Sequence, residues 1–121
     1  MLTDKAQIGA NGERLAVEYL AGRGFRIAHT NWRKGRYELD IVAERDGVVH
    51  FVEVKCRKDH GLTTPEEAIT PAKFAALTRA AEAYMEEHHV DGEVQFDLVA
   101  VEHLGRRWTV RYIPNAMQSH W

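Results

Sequence analysis

The chain has 121 residues, of which 45% are hydrophobic and 28% charged, and its formal net charge at pH 7 is −2. This size and composition predict a single domain over residues 1–121 and argue against intrinsic disorder. The charge argues against a protein that holds nucleic acid by bulk electrostatics alone. No apolar run approaches the roughly 20 residues of a membrane span, and the N-terminus lacks an apolar secretion segment, so we expect a cytoplasmic protein with no membrane partner.

Helix and strand patterns follow one another without a linker or an internal repeat. Asp4 and an apolar stripe predict a first helix over residues 5–21. Thr64-Pro65 and Thr70-Pro71 each have the cap-and-proline pattern of a helix start, and the second start leads into a long helix that ends near residues 88–89. The predicted strands are residues 25–32, 37–44, 48–57, 94–101 and 108–113. The order αβββαββ predicts an α/β sandwich with a mixed central sheet.

The strongest hairpin signal is Asp46-Gly47, which lies between two alternating runs. Asp-Gly suits the positive backbone angles of a two-residue primed turn, so Arg45 should pair with Val48. Counting outward from this pair sets Asp40 opposite Glu53. Opposed carboxylates repel at a cost of about 0.2–1 kcal/mol, so sheet stability alone explains this pair poorly.

The same register sets Glu38 opposite Lys55 on the face that carries the two acids. The opposite face is expected to carry Leu39, Ile41, Val52, Val54 and Cys56. We interpret Cys56 as a buried small hydrophobe rather than a reactive thiol.

A divalent metal would reverse the sign of the interaction between the two acids. A divalent metal suits a site formed by Asp40, Glu53 and the backbone carbonyl of Val54, with Glu13 of the first helix as a further ligand. Lys55 could then orient or activate the attacking water in phosphodiester hydrolysis, and Glu38 could restrain Lys55. A solvated strand face and a nonmetal binding patch are the alternatives.

Basic residues are grouped around these acids. The candidates for contact with a phosphate backbone are Arg33, Lys34, Arg36, Arg57, Lys58 and Lys73. For any one group taken alone, solvated surface charge is the favoured interpretation. His88 and His89 are interpreted as residues of a helix end, with a metal pair as the alternative.

The chain resembles the YraN-type family of predicted endonucleases, which is related to Holliday junction resolvases. The resemblance rests on Gly9-Ala10-Asn11-Gly12-Glu13, Ala16, Asn31, Glu38-Leu39-Asp40-Ile41-Val42, Phe51 to Arg57, Pro65 to Ala68, Lys73, Phe96-Asp97 and Asn115-Ala116. It implies a restriction-endonuclease-like three-layer sandwich. It also implies that Asp40 and Glu53 are metal acids, Lys55 the catalytic lysine and Glu13 the first-helix acid. Tyr37 stands where the family usually has glycine, and its ring could narrow the approach of DNA or stack on a base or sugar.

The leading hypothesis is therefore a Mg²⁺- or Mn²⁺-dependent endonuclease that acts on DNA, including branched repair or recombination intermediates. A homodimer would suit two-strand substrates. One alternative is a catalytically silent nucleic-acid-binding module. Another is a protein-interaction domain that uses the tail around Trp121.

Overall fold

The computed structural model describes residues 5–58, 67 and 69–117. Its elements are α1 (Lys5–Gly22), β1 (Arg26–Lys34), β2 (Tyr37–Arg45), β3 (Val48–Lys58), α2 (Pro71–His88), β4 (Val94–Leu104) and β5 (Arg107–Ile113). The predicted order αβββαββ is confirmed. Asp4, Thr64-Pro65 and Trp121 lie outside the described residues. Among the helices that the structure describes, none combines the length and apolar character needed to span a membrane.

The strands form one sheet in the order β1-β2-β3-β4-β5. β3 and β4 are parallel, whereas the other neighbouring pairs are antiparallel. The parallel pair needs a long crossover, and α2 lies in that connection. The predicted mixed sheet is confirmed.

Hydrophobic side chains cover both faces of the sheet. The core under α1 contains Ala16, Leu20, Ile41, Val52, Val99 and Val101. The core under α2 contains Val42, Phe51, Leu77, Ala81, Tyr84 and Leu98. Because neighbouring strand residues point to opposite faces, Phe51 and Val52 enter different cores. The two helices therefore pack on opposite sides of the sheet, in the predicted three-layer arrangement.

The start and end of α2 follow from local chemistry. Thr70 Oγ1 accepts a hydrogen bond from the Lys73 backbone N–H at 3.1 Å, and Pro71 occupies the first turn. At the other end, His89 adopts φ 56° and His88 Nδ1 lies 3.1 Å from the Tyr84 carbonyl oxygen. These contacts agree with the interpretation of both histidines as residues of a helix end.

The hairpin between β2 and β3 has the predicted register. Asp46 and Gly47 have φ values of 54° and 79°, and Arg45 pairs with Val48. The ladder continues to the pair Ile41 and Val52, beyond which the two strands no longer pair. The next residue on each strand is an acid, as predicted.

The prediction that Leu39 and Ile41 share a face is wrong. Leu39 belongs to the core under α2, and Ile41 to the core under α1. The change of face coincides with two departures from regular pairing: the Val54 N–H donates to the Asp40 carboxylate, and Asn31 of β1 has φ 52°. Regular alternation is therefore not maintained through Asp40.

α1 approaches β3 closely at Gly12, which is buried. A Cβ at this position would lie 2.2 Å from the Cys56 Sγ, so only glycine fits without displacement. Cys56 packs against the core under α1, and burial, together with the charges of Glu13 and Asp40, raises the pKa of its thiol to about 11. The predicted role of Cys56 as a packing residue agrees with this environment.

Candidate active site

Asp40 and Glu53 lie side by side at the point where β2 and β3 separate. Asp40 Oδ2 accepts a hydrogen bond from the Val54 N–H at 2.8 Å, in place of regular strand pairing. Burial, followed by the charge of Glu53, raises the pKa of Asp40 to about 7. The side chain of Glu53 is 12% exposed. These two residues are called here the acid pair. Because charged carboxyls in a poorly solvated position repel each other, the acid pair favours binding of a cation or a proton.

A lysine from the facing helix supplies positive charge to the acid pair. Lys73 Nζ lies 3.0 Å from Glu53 Oε2. Burial lowers the pKa of Lys73, but the nearby carboxylates, with Glu53 first, outweigh that effect and raise it. The sequence pattern placed Lys73 among phosphate-binding residues and missed its contact with Glu53, because that contact depends on how α2 docks on the sheet.

The acid pair opens into a cleft of about 270 Å³. Its lining residues are Arg36, Tyr37, Glu38, Asp40, Glu53, Lys73, Ala76, Leu77 and Arg79. The basic side chains among them provide donors for an anion, and the acid pair provides oxygen ligands for a cation. A phosphate diester accompanied by a divalent cation has both complementary charges. Tyr37 lies in the lining, where an aromatic ring can contact a sugar or base.

Lys55 lies two residues after Glu53 on β3, on the same face of the sheet by strand alternation. It is not one of the residues that line the cleft. The predicted pairing of Lys55 with Glu38 does not form, because the β2–β3 ladder ends at Ile41 and Val52. Glu38 instead pairs across the sheet with Arg33 of β1, where their charged groups are 3.8 Å apart.

Glu13 approaches from α1, where its Oε1 accepts a hydrogen bond from Asn31 Nδ2 at 3.2 Å. Within residues 5–58, 67 and 69–117, no three His, Cys, Asp or Glu side chains group closely enough to hold a metal ion. Glu13 is therefore not grouped with Asp40 and Glu53 by side-chain proximity, and its role as a further metal ligand stays a prediction.

The predicted nucleic-acid-binding residues fall into three groups. Arg36 and Lys73 line the cleft. Three others do not line the cleft and form ion pairs: Arg33 with the cleft residue Glu38, Lys34 with Glu87 at 3.2 Å, and Arg57 with Glu102 at 2.7 Å. Lys58 is exposed at the end of β3.

A buried polar network lies away from the cleft and was not anticipated. Asp97 is fully buried, and its Oδ2 lies 2.6 Å from His50 Nδ1 and accepts a hydrogen bond from Tyr112 Oη at 2.7 Å. Its Oδ1 accepts from Gln95 Nε2 at 2.9 Å and from the Asn115 N–H at 3.0 Å. An acid within the apolar run of β4 was the available sequence signal, because a buried carboxylate requires donors. The network ties β3, β4 and β5 to the segment after β5.

Known proteins share this sequence pattern across most of the chain. Residues 12–101 match the family described as "Uncharacterised protein family UPF0102". A UPF0102 protein of Bacteroides thetaiotaomicron is 42% identical over 100 residues, which are 83% of each chain. One from Nitratidesulfovibrio vulgaris strain DP4 is 40% identical over 117 residues, 96% of this chain and 87% of the relative. The solved structure of Hjc, a Holliday junction resolvase of Archaeoglobus fulgidus, is 21% identical, with a TM-score of 0.49 over 91% of this chain and 79% of that one.

Proposed function

The chain belongs to UPF0102, the YraN-type family that its motifs predicted, and from this premise and the acid pair we propose that it is a metal-dependent endonuclease acting on DNA. The observation that carries the proposal is the contact between Asp40 and Glu53 in a cleft lined by basic residues. Sheet stability does not account for two adjoining, poorly solvated carboxyls. We further propose that it is related to restriction endonucleases. Its proposed substrates include DNA intermediates of repair or recombination.

The donor atoms fit a hard divalent cation such as Mg²⁺ or Mn²⁺. Asp40 and Glu53 would hold it together with the Val54 carbonyl. The Val54 N–H fixes one oxygen of Asp40 at 2.8 Å, which orients the carboxylate without occupying both of its oxygens. When bound, the cation would polarise a phosphoryl oxygen and acidify a water molecule. Glu13 accepts a hydrogen bond from Asn31 through Oε1 and keeps its second carboxylate oxygen, so it remains the proposed further ligand.

The side chains of the protein perform the remaining tasks. Arg36, Lys73 and Arg79 line the cleft and are placed to bind phosphate oxygens and hold the diester over the acid pair. Lys55, on the face of β3 that carries Glu53, is assigned to orient the attacking water and to offset negative charge that develops on the phosphate. Lys73 neutralises Glu53 through their ion pair. Its ammonium becomes available to a phosphate once another cation faces Glu53.

The test is cleavage of labelled single-stranded, duplex, flap and four-way-junction DNAs in Mg²⁺, Mn²⁺ or EDTA. We expect metal-dependent cutting by the wild type, and a loss of about 10²-fold or more in Asp40→Asn and Lys55→Ala. Asp46→Asn is the matched control, because Asp46 is 92% exposed in the hairpin turn and asparagine suits that turn. Full metal-dependent cleavage by Asp40→Asn would contradict the proposal. The same substrates report branch preference, and sedimentation tests the proposed homodimer.

One observation favours a second function, a nucleic-acid-binding module without turnover. Because Lys73 already neutralises Glu53, the cleft can receive a phosphate without a metal. DNA binding in EDTA that survives Asp40→Asn, with no cutting by the wild type, would support this module over the nuclease.

A further inference from the structure

The face of the sheet that carries the acid pair continues beyond α2 onto β5. Ile113 at the end of β5 packs against the core under α2, whereas Tyr112, Val110 and Trp108 pack against the core under α1. Strand alternation therefore directs Arg107, Thr109 and Arg111 to the same side as Ile113. All three are exposed, so this part of the face is open to solvent.

The sheet register connects this surface to the proposed catalytic lysine. Lys55 of β3 pairs with Ala100 of β4, and Ala100 pairs with Arg111 of β5. Lys55 and Arg111 thus share one row across the sheet, about 10 Å apart at two strand spacings. The residue between them, Ala100, is small and buried. Within the described strands, no large side chain therefore stands between Lys55 and Arg111 on this face. Arg107 lies four residues before Arg111, about 13 Å along the same strand.

The next row contains an acid whose charge is already balanced. Arg57 pairs with Glu102, and Glu102 pairs with Thr109. The Arg57 guanidinium lies 2.7 Å from the Glu102 carboxylate, and both side chains are largely buried. Glu102 is therefore balanced by Arg57. The net charge of the described residues of this face between Lys55 and Arg107 is positive. Local cations matter here because the whole chain has a formal charge of −2.

We propose that Lys55, Arg111 and Arg107, called here the β5 row, bind the sugar-phosphate backbone of a nucleic acid that extends from the acid pair across β4 and β5. The inference rests on the proposed function, since it takes the phosphate at the acid pair as the starting point of the bound strand. The planar guanidinium group of arginine can donate two hydrogen bonds to a phosphate group. Contacts to phosphates position a nucleic-acid strand without reading its sequence. The β5 row therefore extends the substrate contact beyond the cleft and favours a polymer over a mononucleotide.

Binding is measured by fluorescence anisotropy with a labelled DNA duplex in EDTA, over a series of salt concentrations. The background is Asp40→Asn, so that no cleavage intervenes. We expect Arg107→Gln and Arg111→Gln each to weaken binding severalfold, and the double variant to reduce the slope of log affinity against log salt by about 1–2. Arg14→Gln is the control, because Arg14 lies on α1, is 59% exposed and is paired with Glu18. Its affinity and slope should match those of the background protein.

Each outcome separates this inference from the nuclease proposal. If the double variant keeps the background slope while Arg36→Gln lowers it, the β5 row is wrong and the cleft alone binds DNA. If the arginine variants lose affinity but the wild type never cuts DNA, the β5 row stands and the proposed hydrolysis fails. If the folded background protein has no affinity for DNA, the proposal that the β5 row binds nucleic acid is wrong. Urea unfolding of each variant checks folding, and Arg107→Gln alone suffices if Arg111→Gln destabilises the protein.

Discussion

The ammonium of Lys73 lies 3.0 Å from the carboxylate of Glu53, although Lys73 is in the first turn of α2. A cation at a helix N-terminus opposes the helix dipole, so this position is unfavourable for the isolated helix. The acid pair on the facing strands offsets that cost. Lys73 thus acts as a counter-charge to the acid pair.

Replacement of Lys73 by methionine should raise the pKa of Asp40 further above its value of about 7. Burial and the charge of Glu53 already raise that pKa, whereas the charge of Lys73 lowers it. Carboxyl-carbon NMR titration measures the change. Arg79→Met removes another cation from the cleft lining and should shift the Asp40 titration less. Equal shifts in the two variants would show that Lys73 has no special contact with the acid pair.

The acid pair should make stability depend on pH. The folded-state pKa of Asp40 is raised from 3.8 to about 7, so the folded protein binds the proton more tightly than the unfolded chain. The resulting contribution to stability is complete below about pH 4 and is lost as the pH rises through about 7. Asp40→Asn avoids the loss and should be more stable than the wild type at about pH 8, by about 1–3 kcal/mol.

Urea unfolding of both proteins at about pH 5 and about pH 8 checks this prediction. The stability difference should be larger at the higher pH, and Mn²⁺ should narrow it by binding only to the wild-type acid pair. A difference that is the same at both pH values would show that Asp40 titrates normally.

Gly12→Ala should destabilise the fold by about 1–3 kcal/mol, because the new methyl group overlaps the Cys56 Sγ at 2.2 Å. Cys56→Ala in the same chain removes that sulfur and should recover part of the loss. Gly9→Ala is the matched control in the same helix, where a Cβ has open space. Helix propensity predicts a gain of up to about 1 kcal/mol for this control. Thermal or urea unfolding of these proteins, the wild type and the Cys56→Ala single variant measures the coupling.

Tyr112→Phe should cost about 1–3 kcal/mol, because it removes a hydroxyl donor from the buried Asp97 carboxylate. Burial and the hydrogen bond to Asp97 also raise the pKa of Tyr112, so its hydroxyl stays protonated at neutral pH. Thr109→Ser on the same strand, at an exposed position, is the control and should change unfolding by less than about 0.5 kcal/mol. Equal stability of both variants would mean that water replaces the lost donor.

Local chemistry determined much of the fold. Asp46-Gly47 set the hairpin turn, and Thr70-Pro71 set the start of α2, because caps and tight turns depend on a few adjacent residues. The period of the apolar residues predicted the order of elements. Since register follows from the turn, the meeting of Asp40 and Glu53 was also predictable from the sequence.

Tertiary structure decided what surrounds that pair. The contact of Lys73 with Glu53 depends on the docking of α2, and the pairing of Glu38 with Arg33 depends on where the β2–β3 ladder ends. The row that joins Lys55 to Arg111 required the parallel register of β3 and β4. No turn encodes that register, because a long crossover separates the two strands. Sequence by itself therefore determined the elements and the acid pair, whereas the packing of distant elements decided its counter-charge, its cleft and the surface beyond it.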